Sequence, residues 1–112
     1  MSAEAITRFC KTLKAAECVN TFGPEHDVWK IGGKVFAIVN VARGSVSFKC
    51  ADIEAAQMLI EIGVACKAPY CHASWAMVVP GAMPDAELHA RLNASYAIMF
   101  KSLPKKRQAE LG

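Results

Sequence analysis

A two-layer α+β domain, with an antiparallel sheet and helices packed on one face, is the fold this chain predicts. Three observations predict it. An apolar run over residues 28–39 is split by Gly32-Gly33. Apolar residues recur at helical spacing near both ends of the chain. The segments rich in Val, Ile and Phe between residues 27 and 50 are joined by connections too short for a parallel crossover, so they pair antiparallel.

The totals agree with one domain over residues 1–112. A chain of 112 residues buries about two thirds of its unfolded surface on folding. With 54% hydrophobic and 21% charged residues, it is not of a disordered composition. We find no repeat and no linker that would divide it.

Residues 3–16 read as the first helix. Ile6, Phe9, Cys10 and Leu13 form its stripe, Arg8, Lys11 and Lys14 lie between them, and Ser2 stands at its cap. Residues 18–26 hold Asn, Gly and Pro and read as a loop. Residues 27–31 and 34–41 read as two strands of a hairpin, whose two-residue turn needs positive φ and takes it cheaply at glycine. In that register Ile31 faces Lys34 and Trp29 faces Phe36. Trp29, Ile31, Phe36 and Ile38 then form the core face, and Val28, Lys30, Val35, Ala37 and Val39 form a half-apolar outer face.

Ala42-Arg43-Gly44 reads as the next turn. Val46, Phe48 and Cys50 alternate with Ser47 and Lys49 as a third strand. Asp52 caps a helix over 53–61, which Gly63 ends. Residues 64–73 are ambiguous, because Pro69 argues against a central strand. Residues 74–79 read as a strand. Pro84-Asp85 opens a long helix over 85–102, with Leu88, Leu92, Tyr96, Met99 and Leu103 as its stripe. Pro104 breaks it, and "KKRQAEL" adds a short final helix.

The chemical motifs are sparse. Gly32-Gly33-Lys34 is not a phosphate loop, because β-branched and aromatic residues follow it where a helix would have to begin. Cys66, Cys71 and His72, even with Cys50 or His26 as a fourth donor, lack the paired spacing of zinc sites. No metal and no cofactor is expected. There is no nucleophile elbow. Glu25, His26 and Asp27 read as a solvated loop cluster rather than a general acid–base site. No catalytic residue is therefore assigned. Tyr70, His72 and Trp75, close to Lys67, are the candidates for touching a ligand by stacking or clamping.

Charge is the distributed feature. The net charge is +3 and the pI about 8.7, a mild bias. Lys30, Lys34, Arg43, Lys49 and Lys67 lie on or beside the expected sheet, offset in that interval only by Asp52, Glu54 and Glu61 in the helix between. That separation of sign suits a phosphate backbone, and equally an ordinary solvated sheet edge, where lysine discourages aggregation. The opening "MSAEAITRF" carries Glu4 and no apolar segment, and the five cysteines are odd in number and irregular in spacing. Both features predict a cytoplasmic protein with reduced thiols. No apolar run is long enough to span a bilayer, and a monomer is expected.

The chain resembles the MmcQ/YjbR family of small bacterial proteins. The resemblance rests on "FGPE" at 22–25, "VWKIGGKVFAIV" at 28–39, "FKC" at 48–50, "APYCHASW" at 68–75, Pro84-Asp85 and "SYAIMFKSLPKK" at 95–106. It implies a compact YjbR-like α+β domain, described as CyaY-like or double-wing. The double-wing comparison implies DNA binding. It carries no established reaction, so it gives no catalytic assignment. Members commonly carry a basic residue shortly before the tryptophan, where this chain reads Cys71-His72-Ala73-Ser74. The functional expectation is a non-catalytic binding protein that contacts DNA through basic hairpin tips and sheet edge. The alternative is an adaptor for a protein or small ligand, using Val28, Val35, Ala37, Val39 and Tyr70 on the outer sheet face.

Overall fold

A computed structural model describes residues 2–112 of the chain. These residues form one six-stranded sheet and four helices. The helices are α1 (Ala3–Lys11), α2 (Ile53–Glu61), α3 (Asp85–Lys101) and α4 (Lys105–Leu111). The strands are β1 (Glu17–Val19), β2 (His26–Ile31), β3 (Lys34–Asn40), β4 (Val46–Lys49), β5 (Cys66–Lys67) and β6 (Trp75–Val78). They are ordered β1-β2-β3-β4-β6-β5, and every neighbouring pair is antiparallel. α3 packs across β3 and β4, α1 against β3, and α2 against β6 and β5. The domain is the expected α+β type, with helices on one side of the sheet.

The caps follow the sequence. Ser2 Oγ accepts from the Ala5 amide at 3.2 Å, and Asp52 Oδ1 accepts from the Ala55 amide at 2.7 Å. α1 stops earlier than its apolar spacing predicts. The Thr12 hydroxyl donates to the Phe9 carbonyl at 2.6 Å, Ala15 turns to a φ of 60°, and the chain leaves as β1, a strand hidden in what reads as a loop. The ambiguous 64–73 segment supplies only the two-residue edge strand β5, and Pro69-Tyr70 turns the chain after it.

The hairpin forms with Gly32 at φ 57° and Gly33 at φ 84°, and Ile31 faces Lys34. Beyond that point the expected register fails. Lys30 faces Val35, but Trp29 faces Ala37 and Val28 faces Ile38. Phe36 is the extra residue of a β-bulge, so every later β3 side chain changes face. Phe36, Ala37 and Val39 all join the core with Trp29 and Ile31. Ile38 is turned to the helix-free side beside Ser47 and Met77.

Ser95 of α3 bridges the bulge and the end of β4: its Oγ donates to the Phe36 carbonyl at 2.7 Å and accepts from the Lys49 amide at 3.0 Å. A fully buried serine on the apolar stripe of α3 thus ties that helix to both central strands. The Tyr96 ring meets Phe36 edge-on, with centroids 5.5 Å apart.

Candidate functional site

The five predicted cations do not converge. Lys30 and Lys34 flank the hairpin turn. Arg43 lies beyond the opposite end of β3, past Asn40, which is itself about 20 Å from Lys34 at ~3.3 Å per residue. Lys67 is on the far edge strand. Lys49 is half-buried and spends its ammonium on Ser74, Nζ donating to Oγ at 2.6 Å. Ser74 in turn lies 2.9 Å from His72 Nδ1, and its amide donates to that nitrogen at 3.1 Å. With Ser74 only 2% exposed, this Lys–Ser–His chain braces the start of β6.

Lys30 and Lys34 are joined instead by cations the strand-based reading passed over. The hairpin tip packs on the α3–α4 junction: a Cβ on Gly32 would stand 2.6 Å from Leu103 Cδ1 and 3.0 Å from Leu111 Cδ1. That contact brings Lys101, Lys105, Lys106 and Arg107 to the same pole. The end of α1 arrives there too, since Tyr96 Oη donates to the Lys14 carbonyl at 2.5 Å and Lys14 Nζ donates to the Gly112 carbonyl. With Lys11 and Lys14, eight of the 13 Lys and Arg residues gather at this pole. The acids there are Glu17, opposite Lys30, and Glu110, 3.2 Å from Arg107. The sequence signal was the run "KSLPKKR" at 101–107, whose place depends on α3 running back toward the hairpin.

A second feature lies on the helix-free face. Ile38, Ser47 and Met77 form the floor of a groove of about 760 Å³. Phe22, before β2, forms one wall, and Pro69, Tyr70 and Cys71 form the other. His26, Asn40, Arg43 and Ser45 close one end. The half-apolar face predicted from alternation therefore exists but is built from other residues. Ala37 and Val39 are buried among the core residues beneath the helices, and Val28 is buried on the groove side outside that cluster. Of the three residues named as ligand contacts, Tyr70 lines the groove. His72 and Trp75 do not; His72 lies beside Lys49 and Asp52 in a shallower depression.

No three His, Cys, Asp or Glu residues group as metal ligands among the described residues, so Cys66, Cys71 and His72 acquire no further donor. All five thiols are free. Burial, with nearby Cys18 as a lesser cause, pushes the Cys10 thiol up to about 12, and burial also raises Cys50 and Cys71. These shifts disfavour the thiolate, the opposite of what a nucleophile needs. Among the described residues no helix is long and apolar enough to cross a membrane.

The fold and these surfaces define a small α+β domain with a lysine-rich pole and an open groove on its helix-free face. The model of the YjbR family matches residues 11–98, and the chain belongs to that family. A solved structure with a similar fold is the Deinococcus radiodurans protein DR2400, described as a DUF419 domain. It superposes with a TM-score of 0.88 at 21% identity, covering 99% of this chain and 88% of that one. No curated protein matches the chain.

Proposed function

We propose that this domain is a non-catalytic nucleic-acid-binding module that docks on phosphates through its hairpin pole. The observation that carries the reading is the segregation of charge. A chain with a net charge of only +3 gathers Lys11, Lys14, Lys30, Lys34, Lys101, Lys105, Lys106 and Arg107 at one pole, against Glu17 and Glu110. Most other carboxylates lie away from it: Glu25 precedes β2 and Asp27 lies at its start, Asp85 and Glu87 lie at the start of α3, and Asp52 caps α2, which carries Glu54 and Glu61. A field of one sign over one pole attracts and orients a polyanion. Lysine contacts to phosphate give affinity without reading bases, so the binding is sequence-tolerant.

Fluorescence anisotropy with a short duplex across a salt series tests it. About five neutralised phosphates give a log–log slope of roughly −4 to −5. Lys34→Glu combined with Lys105→Glu and Lys106→Glu abolishes binding at moderate salt, while Arg43→Glu and Lys67→Glu leave it nearly unchanged. No binding at low salt, a flat salt response, or equal loss from the Arg43 and Lys67 variants would refute the assignment.

A further inference from the structure

The groove on the helix-free sheet face lies away from the basic pole, and its lining has its own polarity. We infer that it is a binding site for a small amphipathic carboxylate, with an aromatic or branched apolar body over Ile38 and Met77 and its anionic end at Arg43. Three observations carry this.

The first is size and lining. A groove of about 760 Å³, apolar along its floor and polar at one end, falls within the range of small-molecule sites, which bury an apolar body and orient it by a few polar groups. The second is the state of its walls. Phe22 is 61% exposed and Tyr70 fully exposed, so two largely solvent-facing rings flank the groove. Tyr70 is also held at φ 62°, a left-handed conformation that a non-glycine residue adopts at a cost, and such outliers collect at ligand clamps.

The third is the closed end. His26 lies opposite Asn40 in the β2–β3 ladder, and Asn40 Oδ1 accepts from the Arg43 amide at 3.0 Å. The three residues are thus gathered by backbone geometry. Arg43 is exposed and has no carboxylate partner among the described residues. His26 Nδ1 is buried with no hydrogen-bond partner among them. Glu25 and Asp27 flank His26 in the chain, but neither lines the groove. An apolar trough ending in an uncompensated guanidinium complements a molecule whose apolar body ends in a carboxylate, which arginine grips with two parallel hydrogen bonds. Lysine at the same place would give only a point charge.

The test uses the isotope-labelled full chain titrated with naphthoate and, separately, with its neutral amide, following backbone amide shifts. Naphthoate moves the amides of Ile38, Ser47, Tyr70 and Met77 with a dissociation constant at or below about 1 mM. The amide probe binds about tenfold more weakly. Arg43→Ala removes that difference, and Tyr70→Ala weakens both probes. Each substitution is at an exposed residue and leaves the spectrum of the folded chain otherwise intact. The proposal is overturned by shifts confined to other surfaces, by equal affinity for the two probes, or by Arg43→Ala without effect. Sedimentation showing a dimer whose second copy covers the groove also overturns it.

Discussion

Gly32→Ala tests how the hairpin is attached to the rest of the domain. Gly32 has φ 57° and Gly33 φ 84°, so an added Cβ at either position incurs the left-handed penalty of about 1–2 kcal/mol. Their surroundings differ. A Cβ at Gly33 meets nothing within 4 Å, whereas one at Gly32 meets Leu103 Cδ1 at 2.6 Å and Leu111 Cδ1 at 3.0 Å. Leu103 is only 6% exposed and cannot swing into solvent without opening the core. Forcing a methyl into such packing costs about 1–3 kcal/mol more. Gly33→Ala is expected to cost about 1–2 kcal/mol and Gly32→Ala about 2–5 kcal/mol. Urea denaturation at constant m-value measures both. In a Leu103→Ala background the extra cost at Gly32 should fall by about 1–2 kcal/mol, a coupling read from the double-mutant cycle. If the two glycine variants are equally destabilised, the tip does not lean on the α3–α4 junction, and the gathering of charge around it loses its structural cause.

Ser95→Ala strands the Phe36 carbonyl and the Lys49 amide and is expected to cost about 2–3 kcal/mol, more than a typical exposed serine, by the same denaturation assay. Tyr70→Gly relieves a strained residue whose ring packs on nothing, so it should raise stability by about 1 kcal/mol while weakening naphthoate binding. Stability should also fall at alkaline pH. The Cys10 thiol stays protonated to about 12 in the fold against 9.0 in the free side chain, so its contribution is complete below pH 9 and is lost as pH rises toward 12. The limiting slope is about 1.4 kcal/mol per pH unit. Cys10→Ala should flatten that decline without removing it, because burial also raises Cys18, Cys50, Cys71 and Tyr96.

The elements were legible where local physics decides them. Asp52 and Ser2 cap helices by their own side chains, Pro84 and Pro104 mark helix starts, and the glycine pair forces a turn. What escaped was non-local. β1 is three residues long and exists only because β2 offers it an edge. The bulge at Phe36 has no signature in the strand's alternation. It is supported from α3, where Ser95 sits 59 residues away in sequence, so the register and both faces of β3 were misread together. Tyr70 could be named from its type and neighbourhood. Phe22, Ile38, Met77 and Arg43 could be gathered into one groove only once that register was known. For the charge, counting along the strands found Lys30 and Lys34 but missed the C-terminal run that folding brings beside them.

The bulge also explains how the open sheet face becomes a groove. Without it, the hairpin register set by Gly32-Gly33 would put Phe36 and Ile38 together against the helices and turn Ala37 and Val39 outward. Two small side chains would then line the trough beside Ser47. With Phe36 as the extra residue, the core keeps Phe36, Ala37 and Val39, and Ile38 is delivered to the open face between Val28 and Ser47. One inserted residue thus gives the core three side chains from β3 in place of two and supplies the apolar floor on which a ligand body rests. The Ser95 hydroxyl holds that arrangement from the helix side. A substitution there should therefore weaken naphthoate binding as well as stability, although Ser95 lies across the sheet from the groove. If Ser95→Ala lowers stability yet leaves the amide shifts and affinity of the groove unchanged, the bulge persists without its hydrogen bonds, and the floor is set by the strands alone.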